Sequence, residues 1–369
     1  MPAINTGKVL VTGASGFLAV TLVESLLDAG FEVRGTVRSS SKGEYLLHYF
    51  NNRRFNFIVV PDSVVDGAFD DAVQGMDGVI HTASPFHFNA SHPNDLILPA
   101  VNGTLNLLKA AHEYGNNTLK RVVITSSIAA IFEPTTEEVV FTEESWNEFS
   151  IRQVNEKQDK ATPADIYRAS KSLAEKAAWE YVASAKTSFD IATVNPAVIF
   201  GPPKQQISSA DQLNTSTAMF YNFLIGKQQS LGAAGNFVDV RDAAKTHLLS
   251  LTKEVAGGQR FLSNSDKGGF TWQDVADVLH EKLPNDDIVK NRVLRGSPGA
   301  GVNVKQMGFS NNKAQELLGQ SFTPFELDDA DVIDMLIDKT SSSSCLLEHS
   351  HWVTFSHYLC QTQFPVFLL

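Results

Sequence analysis

Apolar residues along this chain fall into two kinds of run that take turns. Short β-branched runs are followed by longer stretches in which apolar positions recur every three or four residues. Val9 to Thr12 is the first short run, and Phe17, Leu18, Leu22, Val23 and Leu26 form the first helical stripe. The same rhythm predicts strands at 31–37, 55–60, 78–82, 121–125 and 189–194, separated by helices at 43–51, 66–74, 92–114 and 163–185. A polar insertion rich in Glu and Thr occupies 133–162. Strands that are apolar on both faces and alternate with helices require an α/β fold, a doubly wound parallel sheet covered on both sides. Beyond residue 203 the rhythm loosens into helices at 213–226, 239–252, 271–283 and 311–318, a strand at 259–262 and a glycine stretch at 232–235. The expected organisation is a sheet domain over 7–203, to which 237–262 returns, and a smaller C-terminal lobe from 204–236 and 263–338. Residues 339–369 follow neither period. From Thr340 they hold no Lys or Arg and open with a serine run at 341–344, so an atypical tail of doubtful structure is expected.

The break between the first strand and the first helix changes the picture from fold to ligand. It reads Gly13-Ala14-Ser15-Gly16, with Ala19 one turn on. Gly13 permits a tight turn, Gly16 lets backbone come close to a pyrophosphate, and Ala19 lets the helix lie on the strand. The helix N-terminus adds free N–H groups and a positive dipole end. Strand, glycine turn and helix read as the first unit of a Rossmann dinucleotide-binding fold. About 20 residues past such a turn, an NAD site places a carboxylate on the ribose 2′-hydroxyl. Here the chain has Arg38, followed by Lys42, and the nearest acid, Glu32, lies at the wrong end of the strand. A guanidinium and an ammonium suit a 2′-phosphate. The expected cofactor is therefore NADP(H).

Composition removes several classes of partner. The chain has 369 residues, 43% hydrophobic and 19% charged, which supports a large core. Its net charge of −11, with no basic run, argues against nucleic acid. No uninterrupted apolar stretch reaches about 18 residues, and MPAINTGK lacks the apolar core of a leader, so no membrane association is expected and a cytoplasmic location is. The two cysteines, Cys345 and Cys360, both lie in the last 25 residues, which leaves the body without disulfides or a Cys-based metal site. With His349, His351 and His357 they match no metal-ligand spacing, and no metal is expected.

Candidate chemistry sits at the carboxyl ends of the predicted strands, where ligands of such sheets bind. Asp62, Ala83, Ser84, Ser126 and Ser127 all fall there. In the helix from Pro163, Tyr167 and Lys171 are four apart and share a face. A phenol beside an ammonium can act as a general acid, because the cation favours the phenolate. If Ser127 reaches the same volume, its hydroxyl can bind a carbonyl oxygen while Tyr167 protonates the forming alkoxide. Lys171 would also hold the nicotinamide ribose.

The segments VTGASGFLA (11–19), HTASPF (81–86), PAVNGT (99–104), RVVITSS (121–127), YRASK (167–171), AEKAAWE (174–180), VNPAVIFGP (194–202), LNTS (213–216) and VDVRDAAKTH (238–247) together resemble the extended short-chain dehydrogenase/reductase superfamily. Within it the chain is similar to fungal NADPH-dependent methylglyoxal, 3-methylbutanal and other aldehyde/ketone reductases, relatives of dihydroflavonol reductases, over about residues 7–338. The resemblance implies a catalytic trio of Ser127, Tyr167 and Lys171. It implies cofactor contacts from Gly13, Ser15, Gly16, Phe17, Leu18, Arg38, Lys42, Asp62, Ser63, Ala83, Tyr167, Lys171, Pro196, Ile199 and Ser216. Asp62 would meet the adenine, and Ile199 and Ser216 the nicotinamide half. A substrate pocket would be lined by Phe86, Phe88, Ile128, Phe132 and Val198, with Ile128 and Val198 standing where the nearest reductases carry aromatic residues. The implied activity is reduction of small carbonyl compounds to alcohols by a monomer or homodimer. An epimerase, a hydroxysteroid or dihydroflavonol-type dehydrogenase, and a non-catalytic NADP-binding regulator are the alternatives. The retained Tyr-Lys pair weighs against the regulator.

Overall fold

The computed structural model describes residues 4–84, 92–115, 118–135, 138–265, 269–304 and 307–323. In chain order they form β1 (Lys8–Thr12), α1 (Phe17–Asp28), β2 (Glu32–Val37), α2 (Ser40–Phe50), β3 (Phe55–Val59), α3 (Asp70–Val73), β4 (Gly78–His81), α4 (Asn94–Tyr114) and β5 (Arg121–Thr125). Then come β6 (Val140–Phe141), α5 (Glu148–Lys157), α6 (Pro163–Ala185), β7 (Asp190–Pro196), β8 (Val198–Phe200) and α7 (Thr215–Leu224). The remainder is β9 (Ala233–Gly235), β10 (Phe237–Asp239), α8 (Val240–Thr252), β11 (Arg260–Ser263), β12 (Phe270–Thr271), α9 (Trp272–Lys282), α10 (Asp287–Arg292) and β13 (Gly308–Phe309).

Seven strands make one parallel sheet in the order β11-β7-β5-β4-β1-β2-β3. The winding reverses between β1 and β4, which is where a doubly wound sheet opens a crevice for a ligand. Successive side chains of a strand face opposite ways, and both faces of this sheet are apolar. Val9 and Val11 join one core with α1, Leu46 of α2 and α8, while Leu10 joins a second with α3, α4 and Ala178 of α6. A third core, separate from the sheet, is built from rings: Phe200, Phe220, Phe223, Phe237, Phe270 and Trp272, with Val275 and Leu279 of α9. Seven of its twelve buried residues come from 263 onward.

The differences from expectation have local causes. The helix expected at 66–74 is only α3, because Gly67 takes φ +78° and the Val65–Ala68 turn holds the chain out of helix. The insertion at 133–162 contains α5, capped by Asn147, whose side chain accepts the Ser150 N–H. It buries little beyond Ser150 and Val154, so its apolar signal is faint. A helix not expected, α10, starts where Asp286 accepts the N–H groups of both Ile288 and Val289. The helix expected at 311–318 is present over 312–318, widened across Ala314–Leu318, and stops at Gly319 with φ +68°. The tail at 339–369 lies outside the described residues. No helix among the described residues is long and apolar enough to cross a membrane.

Candidate active site

The turn after β1 sits at the winding reversal. Gly13 has φ +67°, and a Cβ there would lie 3.2 Å from Ala83 Cα, so β4's continuation closes directly on it. Thr12 holds that contact: its hydroxyl receives the Ala83 N–H at 3.1 Å and pairs with His81 Nδ1 at 2.8 Å. The Gly13 N–H donates to Thr36 Oγ1, tying the turn to β2. The first turn of α1 carries no acidic residue and no side-chain cap. Its leading N–H groups are therefore left for an external acceptor. An uncapped positive helix end beside two glycines fits the pyrophosphate of a dinucleotide.

The flanking residues are arranged to match. Arg38 follows the carboxyl end of β2 and Lys42 lies in the first turn of α2, and both are exposed. Neither makes an ion pair with another described residue within 4.0 Å, in contrast to Lys8, which meets Glu32 at 3.8 Å. Asp62 and Ser63 form a turn after β3 in which Asp62 Oδ1 accepts the Val64 N–H. Asn106 of α4 clamps this turn from below, donating to the carbonyls of Ser63, Val64 and Val65. Sequence reasoning missed Asn106, because its partners lie more than 40 positions away.

Helix α6 begins where the sequence says it must. Thr162 accepts the Asp165 N–H and Pro163 takes the first helical position. Tyr167 and Lys171 then come out on one face, with the ammonium 5.8 Å from the Tyr167 ring centroid. Lys171 Nζ donates to Ser84 Oγ at 2.8 Å, which binds α6 to the end of β4, one residue from the Ala83 contact with Gly13. Ser127 stands in extended backbone (φ −166°, ψ 156°) just past β5. Its oxygen accepts the Ala129 N–H, and it is hydrogen-bonded to the Tyr167 phenol. The three sequence-derived catalytic candidates therefore come together.

Their electrostatics differ from the expectation that Lys171 lowers the phenol. Burial pushes Tyr167 up to about 12, with the Ser127 hydrogen bond offsetting part of the rise. Burial also pulls Lys171 down to about 8. In this enclosure desolvation outweighs the attraction of the cation.

Other expected contacts are near. Pro196 ends β7 and Ile199 lies in β8 beside β10. Ser216, in the first turn of α7, is nearly buried and accepts from Asn214 Nδ2. Ile128 packs against the α1/α8 core and the cluster around Phe141, and Val198 against the ring core. Phe132 meets Phe141 and Phe309 edge-on, with the Arg168 guanidinium 4.9 Å from its centroid. Phe86 and Phe88 lie outside the described residues.

With this geometry in hand, comparison with known proteins places the chain. The family model described as NAD dependent epimerase/dehydratase matches residues 9–262. The chain belongs to that family. Among curated relatives, the NADPH-dependent methylglyoxal reductase GRE2 of Saccharomyces cerevisiae is 37% identical over 330 residues, covering 85% of this chain and 94% of its own. The ketoreductase azaE of Aspergillus niger is 34% identical over 345 residues, covering 90% and 98%. The crystal structure of yeast methylglyoxal/isovaleraldehyde reductase Gre2 complexed with NADPH superimposes with a TM-score of 0.82 at 33% identity, covering 90% of this chain and 99% of that one. The family's sheet and winding are those described above.

Proposed function

We propose that this protein is an NADPH-dependent reductase that converts aldehydes and ketones to alcohols, with 2-oxoaldehydes, diketones and aryl ketones as its substrate types. The observation that carries the reading is an unbroken run of contacts. It leads from the Gly13 turn to Ala83 and Ser84, through Lys171, to the hydrogen-bonded pair of Tyr167 and Ser127. The relatives named above, two of them called NADPH-dependent or solved with NADPH, support the same class. Arg38 and Lys42 favour NADPH over NAD, and with it a reductase over an epimerase.

In this mechanism the turn and the start of α1 would hold the pyrophosphate, Asp62 would meet the adenine with Ser63 beside it in the chain, and Arg38 and Lys42 would hold the 2′-phosphate. NADPH, when bound, supplies the hydride for the carbonyl carbon. Ser127 donates to the carbonyl oxygen and keeps it within reach of Tyr167. The phenol, with its pKa near 12, holds its proton at neutral pH and delivers it to the oxygen as negative charge develops. Lys171, still largely protonated at pH 7 with its pKa near 8, stabilises the phenolate left behind and holds the ribose hydroxyls. Ser84 fixes where that ammonium sits. The protein is proposed to act in the cytoplasm, as a monomer or homodimer.

The test is a panel of aldehydes, diketones and aryl ketones offered to the purified full chain with NADPH, read as loss of absorbance at the reduced-nicotinamide band and by chiral analysis of the alcohols. Turnover of at least one class supports the reading. A folded sample that binds NADPH and reduces none of them refutes it, and NAD copurifying with the protein would favour an epimerase instead.

A further inference from the structure

One carboxylate in the protein interior is used by nothing in the mechanism above. Glu175 lies on α6, four residues after Lys171 and eight after Tyr167, and is only 2% exposed. Its Oε2 accepts from Ser126 Oγ at 2.5 Å and Asn195 Nδ2 at 2.8 Å. Its Oε1 accepts from Arg260 Nε at 2.7 Å and Thr193 Oγ1 at 2.9 Å, with Trp179 Nε1 at 3.4 Å. The donors come from the end of β5, from β7, from β11 and from α6 itself. Asn195 Nδ2 also donates to the Ser127 carbonyl at 3.2 Å. The Ser126 N–H donates to Val194 O at 2.7 Å.

From this geometry we infer that Glu175 is a positioning residue: it sets the height of the Ser127 hydroxyl against the Tyr167 phenol. The inference rests on the reading of Ser127 and Tyr167 as the groups that bind and protonate the carbonyl oxygen. Ser127 is held from both sides, through Ser126 before it and through Asn195 on its own carbonyl, and both holds end on the same carboxylate. That carboxylate rides on the helix that carries Tyr167. The strand end and the helix cannot slide past one another without breaking charge-assisted hydrogen bonds in a dry interior. Arg260 neutralises the site, stacked 3.7 Å over Trp146 and donating to the carbonyls of Glu143 and Ser145. Glu175 itself touches no reacting group, so its effect is confined to alignment.

Glu175→Gln separates alignment from bulk. The amide keeps the volume but offers one acceptor oxygen instead of two. With that oxygen turned to Arg260 and Thr193, the new N–H group faces Asn195 Nδ2, donor against donor. Asn195 must then flip, and its bond to the Ser127 carbonyl is lost. A displacement of about 1 Å at a reacting group lowers the rate by up to roughly 10²-fold. The experiment measures carbonyl reduction, NADPH affinity by fluorescence titration, the melting midpoint, and the kinetic isotope effect with NADPH deuterated at the transferred position. For a folded Glu175→Gln, kcat is expected to fall about 10- to 100-fold, the isotope effect on kcat to rise, and the NADPH dissociation constant to stay within about twofold. Unchanged kcat overturns the inference. So does a fall in kcat matched by an equal loss of NADPH affinity, which would mean general loosening. If Glu175→Gln does not fold, Ser126→Ala and Asn195→Ser carry the test, each expected to lower kcat about fivefold with NADPH affinity held; wild-type kcat in both overturns it. Tyr167→Phe is run alongside. Activity surviving in that variant would refute the underlying assignment of the acid, whatever the Glu175 series does.

Discussion

On one side of the winding reversal, β1, β2 and β3 hold the proposed nucleotide site with almost no buried polar side chains. The groups proposed to meet the ligand are the leading N–H groups of α1 and the exposed cations of Arg38 and Lys42. On the other side, β5, β7 and β11 carry the proposed chemistry on a web of buried polar groups. Arg121 pairs with Asp190 through two bonds of 2.6 and 3.0 Å, and also donates to the carbonyls of Ser250 and Lys253. Thr125 pairs with His247, Thr246 with Ser263, and Glu175 gathers its five donors. A pyrophosphate is large and anionic, and a helix end recognises it without help from far away. Protonating a carbonyl oxygen needs hydroxyls fixed to a fraction of an ångström, and buried hydrogen-bond networks supply that rigidity.

The comparison is broken most severely at the acid. Tyr167→Phe removes one hydroxyl from the chemical half and nothing from the nucleotide half. Turnover should fall by about 10²- to 10⁴-fold while NADPH affinity stays nearly unchanged. Steady-state rates beside a fluorescence titration check this. A parallel loss of affinity would mean the two halves are not separable as described.

The next effect is on stability. Arg121 is 1% exposed and its partner Asp190 16%. Arg121→Met takes the buried guanidinium away from Asp190 and should cost about 3–5 kcal/mol in urea unfolding. Arg121→Met with Asp190→Leu should recover a large part of that loss. In the nucleotide half, Lys8 and Glu32 are both 56% exposed and 3.8 Å apart. Lys8→Ala should change stability by less than about 1 kcal/mol.

These expectations also mark what the sequence could and could not reveal. Gly13, Gly16, Tyr167 and Lys171 were legible because each chemical need is met within a few residues, by a turn or by one helix face. Both ends of α6 were legible too, since Thr162 and Pro163 announce its start. Glu175, Asn195 and Arg260 were not, because most of their partners lie 18 to 117 positions away, and a buried Glu reads in sequence as a solvated one. Helix α5 hid in a Glu-rich insertion for the opposite reason: it buries so little that its apolar period is thin. The direction of the Tyr167 shift was misjudged because proximity to Lys171 can be read from spacing, whereas the enclosure of both groups cannot.

A third effect reaches both halves through pH. His81, on β4 beside β1, is pulled down to about 3 by burial and by Lys171. His247, on α8 against β5, is pulled down to about 4 by burial, with its bond to the Ala243 carbonyl opposing. Unfolded, each would bind a proton near pH 6.5, while the folded chain keeps both neutral. Stability is therefore full above pH 6.5 and falls as the pH drops toward 4. The slope is about 1.4 kcal/mol per pH unit for each histidine well inside that window, so the pair together would lose about 4 kcal/mol by pH 5. Buried Glu143 and half-buried Asp242, whose carboxyls are pushed up, oppose this at the acid end of the window. Urea midpoints from pH 7.5 to 5 measure the slope. His247→Gln should halve it, and an unaltered slope would mean that His247 is not held neutral.

The smallest effect tests the nucleotide half alone. Arg38 is exposed, so its proposed interaction with a 2′-phosphate would be weakened by water and salt, a charged hydrogen bond there contributing about 1.5 kcal/mol rather than the larger figure for a buried pair. Arg38→Ala should raise the Michaelis constant for NADPH about tenfold and leave that for NADH, which has no phosphate to lose, almost unchanged. kcat with either coenzyme should not move, because Arg38 lies across the winding reversal from Tyr167 and Ser127. Raising the salt concentration should shrink the wild-type preference for NADPH in the same way and have little further effect on the variant. A fall in kcat for Arg38→Ala would show that the charge at β2 is felt at the hydroxyl pair, and that the separation of binding from alignment across the sheet is not real.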